Sequence, residues 1–117
     1  MITICYSNSS LVVTGHANFA KKNDIVCAAI SGIVYGALSW FDGKEAKIII
    51  SKKENKISIE LFKFNKKKID QRIFFLIKQL KTIQQKYKKN ILLKKIKLII
   101  NMLNFNHMIL RISISVL

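Results

Sequence analysis

The sequence predicts a small single-domain α+β fold in which a mixed sheet is packed by two helices. A chain of 117 residues has room for one domain with one modest core. Two long segments carry apolar residues in patterns suited to helices, and shorter β-branched segments surround them. Their order is strand, strand, helix, strand, strand, helix, with a last strand expected after the second helix, which suits a layered α+β structure.

The predicted strands form two pairs. Residues 1–6 and 11–14 are rich in apolar and β-branched side chains, and the small polar residues 7–10 between them favour a turn. Residues 46–51 and 56–64 predict a hairpin, since apolar and polar side chains alternate along its second half. The hairpin turn is expected at Lys53, Glu54 and Asn55.

The first predicted helix covers residues 25–41 and begins after Asp24, a residue type favoured as an N-cap. Apolar side chains surround most of its circumference, so we expect it to be largely buried. Small residues recur every four positions along it, at Ala28, Gly32 and Gly36. This stripe fits close packing inside the monomer, which we prefer to the alternative of a dimer contact.

The second predicted helix has Asn65 as its candidate N-cap and continues to about Lys88. Its apolar residues recur at helical spacing and predict a core-facing stripe rather than a cofactor site: Ile69, Ile73, Leu76, Ile77, Leu80, Ile83 and Tyr87. Residues 90–100 predict a last strand, which completes a domain over residues 1–100. Residues 101–117 form an apolar, Asn-rich tail, and we treat His107 within it as incidental.

Cys27 falls in the first turn of the predicted first helix and is therefore a candidate nucleophile. Unpaired backbone N–H groups and the positive end of the helix dipole favour thiolate over thiol at this position. The N–H groups of Cys27 and Ala28 are the expected donors to the oxyanion that forms when a thiolate attacks a peptide carbonyl.

His16 follows the second predicted strand and is the candidate general base for Cys27. Asp24 can cap the helix or orient His16, and capping is the preferred assignment. Ser31 lies on the same helix face as Cys27, where its hydroxyl can reach the sulfur or bond back to the Cys27 carbonyl. The loop 17–23 is either a cover over the substrate or an ordinary surface connection. Its candidate substrate-contacting residues are Ala17, Asn18, Phe19 and Asn23.

These residues resemble the pattern of the ribosomal processing cysteine protease family, often called Prp. The match comprises Gly15-His16-Ala17, the segment Asp24-Ile25-Val26-Cys27-Ala28-Ala29, and Ser31. By element order the resemblance extends over roughly the first ninety residues. Members usually carry a glycine shortly before the Asp-Ile-Val-Cys segment, where this chain has Asn23, a residue type that tolerates left-handed backbone angles.

The resemblance implies a cysteine endopeptidase with His16 and Cys27 as its catalytic pair and Asp24 and Ser31 as supporting residues. The implied substrate is the apolar N-terminal extension of bacterial large-subunit ribosomal protein twenty-seven, and the implied assembly is a homodimer. A thiol nucleophile with a histidine base requires neither a metal nor an organic cofactor.

The formal net charge of +15 suggests an anionic partner, but nineteen of the 21 basic residues are lysine, which fits AT-rich codon usage and a solvated helix surface equally well. Such a surface can attract ribosomal RNA through salt-sensitive contacts with its phosphates. The alternative to the protease is therefore a non-catalytic, basic, ribosome- or RNA-associated binding protein. In that protein, Cys27 is a buried helix thiol and His16 a strand-end histidine with satisfied hydrogen bonds.

The sequence favours a cytoplasmic protein that is not associated with a membrane. It begins without a basic-then-apolar signal segment and has no apolar stretch near the ~20 residues needed to span a bilayer. Its two cysteines, Cys5 and Cys27, are expected to stay reduced in that compartment. Cys5 is interpreted as a small buried hydrophobe in the first strand.

Overall fold

The computed structural model describes residues 1–62 and 67–96, and this part of the chain forms five strands and two helices. In chain order the elements are β1 (Ile2–Tyr6), β2 (Ser10–Thr14), α1 (Ile25–Leu38), β3 (Ala46–Ser51), β4 (Lys56–Leu61), α2 (Gln71–Lys86) and β5 (Ile91–Lys95). The predicted α+β class and the predicted order of elements are both confirmed.

The five strands form one sheet in the order β3-β4-β2-β1-β5. β1 pairs antiparallel with β2 and parallel with β5, so the sheet is mixed, as predicted. β2 also pairs antiparallel with β4, and β4 with β3. Because β2 is flanked on both sides, the residues that follow it leave the sheet from its interior, next to the end of the β3–β4 hairpin.

The core lies between one face of the sheet and the two helices. Side chains point alternately to the two faces of a strand, and those of Ile4, Leu11 and Ile59 point towards the helices with at most 1% of their surface exposed. The helices contribute the other large side chains of this core: Val26, Ile30, Val34, Ile73, Leu76 and Leu80. This packing fixes the start of α1 beside the end of β2.

The expectation that the first helix is largely buried is wrong. Ile25 and Tyr35 are 56% and 47% exposed, and the small-residue stripe of Ala28, Gly32 and Gly36 is also exposed. A Cβ atom added at either glycine would meet nothing within 4 Å. The buried residues of α1 are Val26, Ile30, Val34 and Ala37. Since α1 meets the sheet along one face only, the stripe does not pack inside the described part of the monomer.

The second helix begins later than expected, after the N-cap Asp70, whereas Asn65 lies outside the described residues. Arg72 donates hydrogen bonds to Asp70 and, at 2.5 Å, to Glu45, which ties the start of α2 to the segment before β3. Although burial alone would raise the pKa of Asp70, its hydrogen bonds with Arg72 lower it. The predicted core stripe is confirmed, since its buried members are Ile73, Leu76, Ile77 and Leu80.

α1 ends earlier than predicted, at Leu38, and within the described residues β5 ends at Lys95. β4 ends at Leu61, and the positions 63–64 that were assigned to its strand lie outside the described residues. The last positions assigned to the final strand and the predicted tail, with His107, also lie outside them. Among the helices of residues 1–62 and 67–96, none is long and apolar enough to cross a membrane.

Candidate active site

A cleft of about 210 Å³ brings together the end of β2, the first turns of α1 and the tip of the β3–β4 hairpin. His16, Cys27 and Ser31 all line it, so the two predicted catalytic residues and one supporting residue meet at one site. Its apolar lining residues are Ile2, Val13, Ile30, Tyr35, Ile50 and Ile57. The hairpin contributes polar residues: Ser51, Lys52, Asn55 and Lys56.

Gly15 turns the chain out of the sheet and brings His16 to the cleft. Its φ angle of 92° lies in the left-handed region, which glycine adopts without strain. A Cβ atom at this position would also collide with the carbonyl oxygen of Met1. His16 is consequently exposed, as a base that must meet a substrate needs to be.

Asp24 is the N-cap of α1, which confirms the preferred assignment. Its Oδ1 atom accepts hydrogen bonds from the N–H groups of Val26 and Cys27, both at 3.0 Å. Its Oδ2 atom accepts from Phe19 and Ala20, at 3.0 and 3.3 Å. The Cys27 N–H, together with the other three amides, lowers the pKa of the Asp24 carboxyl. Within residues 1–62 and 67–96, all its hydrogen-bond donors are backbone amides, so it does not orient His16.

A backbone amide contacts the sulfur of the candidate nucleophile. The Ala17 N–H donates a hydrogen bond to Cys27 Sγ at 3.2 Å, and Ala17 itself is only 1% exposed. An N–H donor stabilises an anionic acceptor more than a neutral one, so this contact favours negative charge on the sulfur. Sequence reasoning missed it, because Ala17 carries no chemistry of its own and its backbone direction depends on the fold.

The two amides expected to hold the oxyanion are already occupied in this conformation. The Cys27 N–H donates to Asp24 Oδ1, and the Ala28 N–H donates to the Asp24 carbonyl oxygen, each at 3.0 Å. The physical reason is that the Asp24 side chain caps the Cys27 amide, while the Ala28 amide makes the first backbone hydrogen bond of α1. An oxyanion could reach either group only if the cap opened, whereas the Ala17 N–H already lies at the sulfur.

The loop 17–23 packs against neighbouring parts of the protein and does not extend over the cleft. Ala17 is buried, and Phe19 packs edge-on against the ring of Tyr87 with 5.3 Å between centroids. Asn18 and Asn23 adopt left-handed φ angles of 55° and 52°, as expected of Asn23. None of these four residues lines the cleft. In this conformation the loop contacts Asp24 and Tyr87, as a surface connection does, and its role as a cover over bound substrate stays a prediction.

Ser31 and the second cysteine differ in their relation to the site. Ser31 is exposed in the cleft wall, and its hydroxyl is hydrogen-bonded to neither the sulfur nor the carbonyl oxygen of Cys27.

Cys5 is buried in β1, and burial raises the pKa of its thiol. Both cysteines are free thiols. In the described part of the chain, no three His, Cys, Asp or Glu side chains are grouped to hold a metal ion.

Sequence comparison agrees with this geometry. A family profile described as "Cysteine protease Prp" matches residues 1–92. The chain is 41% identical over 88 residues to the ribosomal processing cysteine protease Prp of Mycoplasma pneumoniae, covering 74% of this chain and 87% of that protein. It is 45% identical over 62 residues to the protein of the same name from Mycoplasma genitalium, covering 52% of this chain and 63% of that protein.

The fold is similar to crystal structures of an essential ribosomal processing protease Prp from S. aureus. In complex with a covalently linked product peptide, that protein has a TM-score of 0.70, with 22% identity over 82% of this chain and 100% of its own. In complex with a substrate peptide, its TM-score is 0.68. The match over residues 1–92 and the shared fold lead to one conclusion: the chain belongs to the ribosomal processing cysteine protease family, Prp.

Proposed function

We propose that this protein removes the apolar N-terminal extension of bacterial large-subunit ribosomal protein twenty-seven, with Cys27 as nucleophile and His16 as general base. The observation that carries the proposal is that both residues line one cleft. The Ala17 N–H on Cys27 Sγ adds a donor that favours the thiolate. A binding protein with an inert helix thiol would need neither feature.

The chemistry follows from these positions. His16 takes the proton of the Cys27 thiol, and the thiolate sulfur attacks the carbonyl carbon of the scissile peptide bond. The carbonyl electrons move to oxygen and return as the C–N bond breaks, while protonated His16 gives its proton to the leaving amine. His16 then takes a proton from water as the water oxygen attacks the thioester carbonyl, the C–S bond breaks to release the carboxylic acid, and protonated His16 returns its proton to the Cys27 sulfur.

The lining of the cleft supports an apolar peptide as substrate. Ile2, Val13 and Ile57 come from the sheet, and Ile30 comes from α1, so apolar surfaces from two layers face the same space. Apolar side chains of a bound peptide gain free energy by leaving water for such a surface. A basic extension would instead meet Lys52 and Lys56, which also line the cleft.

Steady-state kinetics on a fluorogenic peptide copied from the ribosomal protein's N-terminus test the proposal. Under reducing conditions, Cys27→Ala and His16→Ala should each lower kcat/KM by roughly 1,000-fold or more, because each residue belongs to the reacting unit. The matched control is Cys5→Ala, which removes the buried thiol outside the cleft and should leave kcat/KM near the wild-type value. Failure of folded wild-type protein to cleave the peptide would rule out this substrate.

The proposal also covers the oligomeric state of the protein, its attraction to RNA and its cellular location. The exposed stripe of Ala28, Gly32 and Gly36 supports a homodimer, since small residues let two helices approach closely. The net charge of +15 supports nonspecific attraction to ribosomal RNA, which would bring the protease near its substrate. We place the reaction in the cytoplasm, where thiols stay reduced.

A further inference from the structure

Three consecutive peptide groups link the end of β2 to the sulfur of Cys27. The Gly15 carbonyl belongs to the first, the Ala17 N–H to the second and the Ala17 carbonyl to the third. The middle group carries the donor that contacts Cys27 Sγ at 3.2 Å. The outer two each accept a hydrogen bond from an asparagine side chain that is distant in sequence.

Asn55 holds the first peptide group from the β3–β4 turn. Its Nδ2 atom donates to the Gly15 carbonyl oxygen at 2.5 Å, and its own carbonyl accepts the Gly15 N–H at 3.2 Å. Its φ angle of 51° is left-handed, a conformation that few residue types adopt as readily as asparagine. One residue therefore binds both the donor and the acceptor of Gly15, directly before His16.

Asn90 holds the third peptide group from the connection between α2 and β5. Its Nδ2 atom donates to the Ala17 carbonyl oxygen at 2.9 Å, although the two residues are 73 positions apart. Its backbone is fixed as well, because its carbonyl accepts the Ile2 N–H and its N–H donates to the Tyr87 carbonyl, both at 2.9 Å. The amide is thus presented from a backbone anchored to β1 and α2.

We propose that Asn55 and Asn90 are positioning residues that act as a clamp on residues 15–17. They hold His16 at the cleft and keep the Ala17 N–H on Cys27 Sγ. The inference rests on the proposed function and deepens it, because it assigns the geometry of the catalytic pair to two side chains that do not themselves react. Neither residue touches the sulfur, so each acts through the backbone of residues 15–17.

The physical basis is that each peptide group is planar, so residues 15–17 can move only by rotation about their φ and ψ angles. Because the Gly15 and Ala17 carbonyls are both hydrogen-bonded, a displacement of this segment that carries the Ala17 N–H away from the sulfur breaks at least one of the two asparagine bonds. The same displacement would move the His16 side chain. Misplacement of about 1 Å is enough to cost on the order of 100-fold in rate.

Three substitutions, one at Asn55 and two at Asn90, remove the side-chain donors and leave the backbone contacts in place. Asn55→Gly keeps a residue that tolerates φ of 51° and retains the carbonyl that binds Gly15. Asn90→Asp has nearly the same shape as asparagine but presents an oxygen to the Ala17 carbonyl in place of a donor. Asn90→Ala removes the donor without adding charge, and circular dichroism selects the variants that fold.

The decisive readout is the rate at which iodoacetamide alkylates Cys27 as a function of pH, measured in a Cys5→Ala background. In Asn55→Gly and in the folded Asn90 variants we expect alkylation at neutral pH to slow roughly 3- to 10-fold, since the sulfur loses its fixed N–H donor. In the folded Asn90 variants, whose altered side chain lies outside the cleft lining, peptide cleavage should lose roughly 10-fold in kcat with little change in KM, because catalytic geometry is affected rather than binding.

Neighbouring exposed residues provide controls. Glu54→Gln changes the side chain next to Asn55 in the same turn, and Lys89→Ala changes the one next to Asn90, and both should match wild type. The clamp is overturned if the folded asparagine variants keep the wild-type alkylation profile. If the wild type alkylates and the variants alkylate more slowly while no protein cleaves the peptide, the clamp stands and the proposed substrate fails.

Discussion

At the scale of single residues, Gly15 determines whether His16 can reach the cleft. Gly15→Ala would place a methyl group against the Met1 carbonyl and hold a non-glycine residue at φ of 92°. We expect a loss of stability of about 1–3 kcal/mol and a clear loss of kcat/KM. Thermal melts and peptide cleavage measure the two effects.

The control for that substitution is Gly43→Ala. Gly43 does not adopt a positive φ angle, and a Cβ atom there would meet nothing within 4 Å. The control should match wild type in both melting temperature and cleavage rate. Equal behaviour of the two alanine variants would contradict the role assigned to Gly15.

The residues of the site divide into those that sequence can predict and those that it cannot. His16, Asp24 and Cys27 stand within twelve positions of one another, and a helix cap beside a thiol is a local pattern. Asn55 and Asn90 reach the same segment from 40 and 73 positions away. Such contacts depend on strand order and turn geometry, which local pattern does not specify.

At the scale of elements, the cap of α1 should respond to pH through Asp24. The pKa of its folded-state carboxyl is lowered, so the cap stabilises the protein above the ordinary value of 3.8 and is lost as pH falls through the lowered folded value. The melting temperature of Asp24→Ala should therefore lie below that of wild type at pH 7. The difference should shrink as pH falls below about 3.8. A constant difference from pH 7 to pH 2 would contradict the charged cap.

The two faces of α2 predict a large and a small loss of stability for two neighbouring substitutions. Leu76 is fully buried in the core, and Leu76→Ala should lower the free energy of unfolding by about 3 kcal/mol. Phe75 is 61% exposed, and Phe75→Ala should change it by less than about 0.5 kcal/mol. Urea unfolding measures the free energy of unfolding of both variants. Similar losses in the two variants would mean that the buried and exposed faces of α2 are assigned incorrectly.

Sequence patterns predicted the positions of the helices and strands more accurately than they predicted which residues of those elements are buried. Along α2, apolar residues recur at helical spacing, and this period identified the core residues Ile73, Leu76 and Leu80. α1 is apolar on several faces, and the pattern could not indicate which face meets the sheet. Ile25 and Tyr35 are exposed because α1 packs on one side only.

At the scale of the whole molecule, the open face of α1 tests the proposed dimer. Gly32→Arg would place a long charged side chain in the small-residue stripe without weakening the helix, since arginine is a better helix former than glycine. We expect wild type to sediment at twice the mass of one chain and the variant at the mass of one. Gly43→Arg is the matched control and should sediment as wild type does.

The fold class was predictable because it follows from the order of the elements and the spacing of their apolar residues. The order of the strands in the sheet was not predictable from those features. The position of β5 beside β1, parallel to it, follows from the return of α2 across the sheet rather than from any local signal. That arrangement brings Asn90 to Ala17, and so it completes the site.

The central claim is that Cys27 attacks a peptide carbonyl, and the mass of the trapped acyl-enzyme tests it most directly. Wild-type protein is mixed with the ribosomal N-terminal peptide under reducing conditions, quenched in acid within the first turnover, and analysed intact and after proteolysis. We expect an added mass equal to that of the N-terminal fragment minus one water, bound to Cys27 and absent from Cys27→Ala. Cleavage of the peptide by Cys27→Ala, or an adduct on Cys5, would contradict the claim.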